Sequence, residues 1–163
     1  MNNPIRFGIL GAGRIANQFA NAVKLVEGAS VTAVSSKSPE RAADFAARHS
    51  IPWSGSYEDM LARDDVDCVY VATTHNFHAE NIRLCFAYGK HVLCEKAMTL
   101  TGDEAQSLFD EAKAKGLFLM EAMWSRFLPT VQWAKKKITD GEIGKITSAV
   151  SVIGFRGDGD RRI

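Results

Sequence analysis

A chain of 163 residues, 46% hydrophobic and 24% charged, has the size and composition of one globular domain with a proper core. Its formal net charge of +1 argues against a nucleic-acid or membrane-surface partner, and no apolar run approaches the length of a membrane span. The stretch MNNPIRFGIL lacks the shape of a secretory signal, and the three cysteines (Cys68, Cys85, Cys94) form no C-x-x-C, so a reducing cytoplasm is expected, with the thiols as small core residues.

Strand-like and helix-like segments alternate along the chain. Ile5 to Leu10 is a short apolar run ending at glycine and reads as a buried strand. Ile15, Phe19, Val23 and Val26 recur at helical spacing, and Gly28 stops that helix. Ser30 to Val34 reads as a second strand, and Pro39 opens a helix over PERAADFAARH. IPWSGS is a short extended piece, and Ser56 with Asp59 starts a brief helix. DCVYVAT is rich in β-formers, Phe77 to Tyr88 is helical, and HVLC is the next strand. Thr101 and Glu104 form a capping box for a helix that Gly116 closes. LFLME is a strand, Pro129 to Asp140 a helix, and KITSAVSVIGF a longer, partly alternating strand.

Strands without polar alternation, joined by helices, imply a parallel sheet covered on both faces, hence a doubly wound α/β fold. The ending GFRGDGDRRI is glycine- and charge-rich and follows a strand with no visible partner, so the chain reads as unfinished.

The first loop carries Gly11-x-Gly13-x-x-Ala16 between a strand and an amphipathic helix, the context that makes the pattern informative. Gly11 allows the tight turn, Gly13 lets the backbone approach a pyrophosphate, and Ala16 lets helix and strand pack closely. The helix start at Arg14 and Ile15 then offers free N–H groups to the anion. A plain β–α turn is the bland alternative, and a methyltransferase uses a similar loop. After the second strand an Asp or Glu would read a ribose 2′-hydroxyl, but AVSSKSPER has no acid before Glu40. Ser35, Ser36, Lys37 and Arg41 offer hydroxyls and cations that suit a 2′-phosphate instead, so NADP is favoured and NAD is the alternative.

Two further features fall at strand ends, where ligands bind in open α/β sheets. TTHNFH follows the fourth strand, and Thr73, Thr74, Asn76 and His78 are expected to line a cofactor cleft. Reading His75, His78 and Cys94 as metal ligands is disfavoured, since a zinc site needs three or four well-placed ligands and no further set is evident. Glu95-Lys96 follows the fifth strand; it is either part of the ligand edge or a rim salt bridge worth about 0–1 kcal/mol.

GILGAGRIA, VYVATTHNFHAE, GKHVLCEKAMTL and FLMEAMWSRFLP, in this order and spacing, resemble the Gfo/Idh/MocA (glucose–fructose oxidoreductase/inositol dehydrogenase) family over residues 4 to 155. LFLMEAMWSRFLP is most similar to its dimeric dihydrodiol dehydrogenase and D-xylose dehydrogenase branch. The resemblance implies a Rossmann NAD(P)-binding domain over residues 1–122, then a linker helix and the first strand of a C-terminal α+β substrate domain over 123–163. It implies an oxidoreductase moving a hydride to or from a sugar, polyol or trans-dihydrodiol carbon, forming a homo-oligomer when full length. Lys96 would polarise the reacting oxygen, and Glu95 would pair with that lysine or bond nearby backbone. Trp124 and Arg126 would border the nicotinamide, or else form an aromatic hinge between two domains. The family's usual acid/base, a Tyr or His, belongs to the substrate domain. Where the family has proline after the lysine this chain has Ala97; a cis bond there costs about 2.5–4 kcal/mol, so a trans bond is expected. A nucleotide-binding module without turnover is the alternative function.

Overall fold

The computed structural model describes residues 4–152 and 154. Six strands, β1 (Ile5–Leu10), β2 (Ala29–Ser35), β3 (Trp53–Gly55), β4 (Cys68–Val71), β5 (His91–Cys94) and β6 (Leu119–Glu121), form one sheet in the order β3-β2-β1-β4-β5-β6. Every pairing is parallel. This is the doubly wound Rossmann arrangement, with its direction of winding reversing between β1 and β4.

The pleat sends successive apolar side chains to opposite faces. Ile9, Val34 and Tyr70 pack with Ala16, Ala20 and Phe45 from α1 (Arg14–Val23) and α2 (Pro39–His49). Leu10, Ala33, Val69 and Val71 pack on the other face, against α3 (Tyr57–Leu61), α4 (His78–Ala87) and α5 (Gly102–Ala114). Cys68, Cys85 and Cys94 are all buried and free, as expected of small core residues. Burial pushes the Cys68 thiol up to about 12 and raises Cys85 and Cys94 as well.

Local chemistry sets the helix starts. The Ser38, Ser56 and Thr101 side chains accept from the backbone N–H groups of Arg41, Asp59 and Glu104. The helix expected from Phe77 is preceded by a 3-10 turn, His75–Phe77, so α4 begins at His78.

The chain divides into two compact units, Met1–Met123 and Trp124–Ile163. The second holds a 3-10 turn, Trp124–Phe127, and α6 (Pro129–Thr139). The strand expected over 145–155 is not formed at residues 145–152; Ile153 and Phe155 lie outside the described residues. Val150 and Val152 are 90% and 86% exposed. An alternating pattern marks a possible strand face, but a strand also needs a neighbour for its N–H and C=O groups, and no described residues pair with this stretch. Among the described residues no helix is long and apolar enough to cross a membrane.

Candidate active site

The carboxyl ends of the strands form one continuous rim. Backbone bonds carry the ladder past them: Gly11 N–H to Ser35 O at 2.8 Å, Ala72 N–H to Leu10 O at 2.8 Å, Glu95 N–H to Val71 O at 2.9 Å, and Ala122 N–H to Cys94 O at 2.7 Å. The loops after β1, β4, β5 and β6 therefore leave one edge of the sheet, at the switch point where α/β sheets bind ligands.

Gly11 has φ +109°, and a Cβ there would stand 2.8 Å from Ala72 O, so only glycine fits. A Cβ at Gly13 would meet nothing within 4 Å. The space in front of Gly13 is open to a bound group, as a dinucleotide loop requires. Gly13 is the N-cap of α1, Arg14 and Ile15 begin the helix and are exposed, and Ala16 is fully buried.

At the end of β2, Ser35 is buried and its hydroxyl donates to Ser56 O at 2.8 Å. Ser36 Oγ accepts from Ser38 N–H at 3.3 Å. Lys37 Nζ lies 3.7 Å from the centroid of the Phe77 ring, a cation–π contact across the cleft between the β2 and β4 loops. Arg41 donates weakly to Ala12 O at 3.4 Å. Glu40 is turned to the Ser38 hydroxyl at 2.7 Å, and that bond, with the helix start, lowers its pKa. Two cations, Lys37 and Arg41, thus stand just beyond the end of β2, and the nearest acid, Glu40, is engaged locally.

After β4, Thr74 and Asn76 are exposed, whereas His78 is fully buried. Its Nε2 lies 3.0 Å from Thr73 O and its Nδ1 2.9 Å from Ala97 O, so the ring bridges the loops after β4 and β5. Asn81 Nδ2 donates to Thr73 Oγ1 at 3.0 Å and fixes the same turn. His75 stands edge-on to His78 at 5.4 Å. Among the described residues no group of three or more His, Cys, Asp or Glu could hold a metal ion.

Glu95 closes β5. Its Oε1 accepts from Tyr70 Oη at 2.5 Å and its Oε2 from the Lys96 backbone N–H at 3.2 Å. Of the two partners expected for Glu95 it takes backbone, together with a tyrosine, and among the described residues it makes no ion pair with the Lys96 ammonium. Lys96 itself is exposed at the rim. The Lys96–Ala97 peptide bond is cis, which corrects the trans bond expected from local cost. Bonds on either side set this segment: Ala97 O faces His78 Nδ1, and Met98 N–H donates to Glu121 Oε1 at 2.9 Å. Tertiary partners here override a preference that is purely local.

Tyr70 is the residue that reading the sequence missed. It is buried, stacked on Phe19 with ring centroids 3.8 Å apart, and bonded to Glu95. Burial first, then the Glu95 bond, push its phenol far above the ordinary range. The one signal for it was its place in β4 on the face shared with Ile9 and Val34. Trp124 and Arg126 belong to the second unit and are exposed there.

The model of the oxidoreductase family Gfo/Idh/MocA, NAD-binding Rossmann fold, matches residues 5–123. The chain belongs to this family. Trans-1,2-dihydrobenzene-1,2-diol dehydrogenase of Mus musculus is 38% identical over 154 residues, covering 93% of this chain and 46% of that protein. D-xylose 1-dehydrogenase (NADP(+)) of Hypocrea jecorina is 36% identical over 170 residues, covering 96% and 44%. A crystal structure of a 3-ketoreductase from Actinomadura kijaniata with NADP superposes with a TM-score of 0.78 at 37% identity, covering 88% of this chain and 46% of that one. This Gfo/Idh/MocA chain spans about half the length of the curated relatives it matches.

Proposed function

We propose that this protein supplies the cofactor-binding half of an NADP-dependent oxidoreductase that moves a hydride to or from a carbon of a sugar, polyol or trans-dihydrodiol. The observation that carries the reading is a single sheet edge holding the glycine loop after β1, the cations Lys37 and Arg41 after β2, and Lys96 after β5. The names of the xylose dehydrogenase and the NADP-bound ketoreductase support the choice of cofactor.

In this reading residues 1–122 form the dinucleotide-binding domain and 123–163 lead into a substrate domain. Gly11 and Gly13 shape the pyrophosphate turn, and the N–H groups of Arg14 and Ile15 bind the anion. Ser36, Lys37 and Arg41 take the 2′-phosphate. Thr73, Thr74 and Asn76 line the cleft, and His78 acts from beneath it by tying the β4 and β5 loops together. The bound nicotinamide cofactor supplies the hydride donor or acceptor. Lys96 donates a hydrogen bond to the reacting oxygen and offsets the negative charge that develops on it. Glu95, held by Tyr70, sets the backbone from which Lys96 projects. Trp124 and Arg126 border the substrate entrance, and the protein works in the cytoplasm as a homo-oligomer.

The chain is incubated with NADP⁺ and a panel of aldoses, polyols and trans-dihydrodiols while the near-ultraviolet absorbance of reduced nicotinamide is followed. Turnover with any of them establishes the reading. Cofactor binding without turnover favours a binding module, and the absence of both contradicts the reading.

A further inference from the structure

The last turn of α2 reaches back to the loop after β1 through one side chain. Asn17, in the second turn of α1, donates from Nδ2 to Gly13 O at 2.9 Å. Its Oδ1 accepts from Arg48 Nη1 at 3.0 Å and lies 2.7 Å from His49 Nε2. The assignment is self-consistent: a guanidinium can only donate, so Oδ1 must face Arg48 and Nδ2 must face the carbonyl. The same logic gives His49 its proton on Nε2. His49 is 8% exposed, and its Nδ1 has no hydrogen-bond partner in the structure. Burial, with Lys24 and Arg48 nearby, lowers its pKa, in keeping with a neutral ring.

The consequence lies on the other side of the Gly13–Arg14 peptide. That bond is trans, so its C=O and N–H point in opposite directions. Gly13 O points into α1, where it also accepts from Asn17 N–H at 3.2 Å. The Arg14 N–H therefore points out of the helix start, toward the open space in front of Gly13. A second bond on Gly13 O fixes the plane of this peptide and polarises it, which makes Arg14 N–H a better-aimed donor.

We propose that Asn17 is a positioning residue for the phosphate-binding turn, with His49 and Arg48 holding its amide in the orientation that aims the Arg14 N–H at the anion. The inference rests on the reading of this loop as the pyrophosphate site.

Three chains are compared for NADPH affinity, thermal stability and the NMR order parameter of the Arg14 amide: the protein itself, Asn17→Ala and Asn17→Ser. Serine can donate back to the carbonyl four residues earlier but cannot reach α2. Asn17→Ala should weaken NADPH by about three- to tenfold, the worth of one hydrogen bond, and should lower the Arg14 order parameter. Asn17→Ser should recover most of both, although the two variants lose stability together through the broken tie to α2. Affinity and order that fall equally in the two variants, in step with stability, would reduce Asn17 to a structural residue and overturn the proposal. Unchanged affinity and order in Asn17→Ala would do the same. If the unaltered protein binds no NADPH, the cofactor reading fails on its own, and the order parameters still decide whether Asn17 aims the Arg14 amide.

Discussion

The Tyr70 hydroxyl donates to Glu95 Oε1 across adjacent strands at 2.5 Å. The β4–β5 register pairs Val71 with Cys94, which brings a buried phenol on β4 to the carboxylate that follows β5. The bond fixes Glu95, and Glu95 in turn accepts from the backbone N–H of Lys96.

Tyr70→Phe removes that donor and keeps the ring stack. A hydrogen bond to a charged group contributes about 1.5–3 kcal/mol, so a loss of that order is expected in denaturant unfolding. The pH dependence has a definite sign. The folded-state pKa of Tyr70 is raised, so the unfolded chain loses this proton near its ordinary pKa of about 10 while the folded chain keeps it. Stability should therefore fall as pH rises above about 10, and Tyr70→Phe should flatten that fall. An unchanged alkaline slope would contradict the assignment.

His78 holds two loops from inside the protein. Replacing it by Ala removes a fully buried ring that lies between the Thr73 and Ala97 carbonyls, leaving a cavity and one lost hydrogen bond, together a loss of about 1–3 kcal/mol. Differential scanning calorimetry should register a clear drop in melting temperature. A melting temperature equal to that of the parent would show that His78 bridges nothing of consequence.

Lys37 rests on Phe77, and in the proposed function it takes the 2′-phosphate. Lys37→Asp should weaken NADPH by tenfold or more while leaving NADH unchanged or improved, since a charge-assisted bond is replaced by repulsion. Isothermal titration with both cofactors checks this. An equal loss for the two would place Lys37 outside the 2′-phosphate site.

Lys96→Ala, tested in an active form that includes a substrate domain, should lower kcat by about 10²–10³, the range seen when one donor to a developing oxyanion is removed. Cofactor affinity should change little. Losses of kcat and affinity in equal measure would mean that Lys96 binds rather than polarises.

Much of this was legible in the residues. The β1 run, the Gly11 turn, the Pro39 helix start and the Ser56 and Thr101 caps are local signals, because each rests on groups within a few positions of one another. The cis bond at Lys96–Ala97 was not legible, since the partners that set it, His78 and Glu121, are distant in sequence. The Tyr70–Glu95 and Asn17–His49 contacts were hidden for the same reason: both depend on how elements are brought together. The strand expected over 145–155 differs in the opposite way: it is not formed at residues 145–152, because its partly alternating pattern carried no information about a pairing partner.

The central claim, a cofactor domain built for NADP, is tested most directly by titrating the 163-residue chain with NADPH and separately with NADH, following nicotinamide fluorescence. Saturable binding with a clear preference for NADPH is the predicted result. No binding of either cofactor, or a preference for NADH, would contradict it.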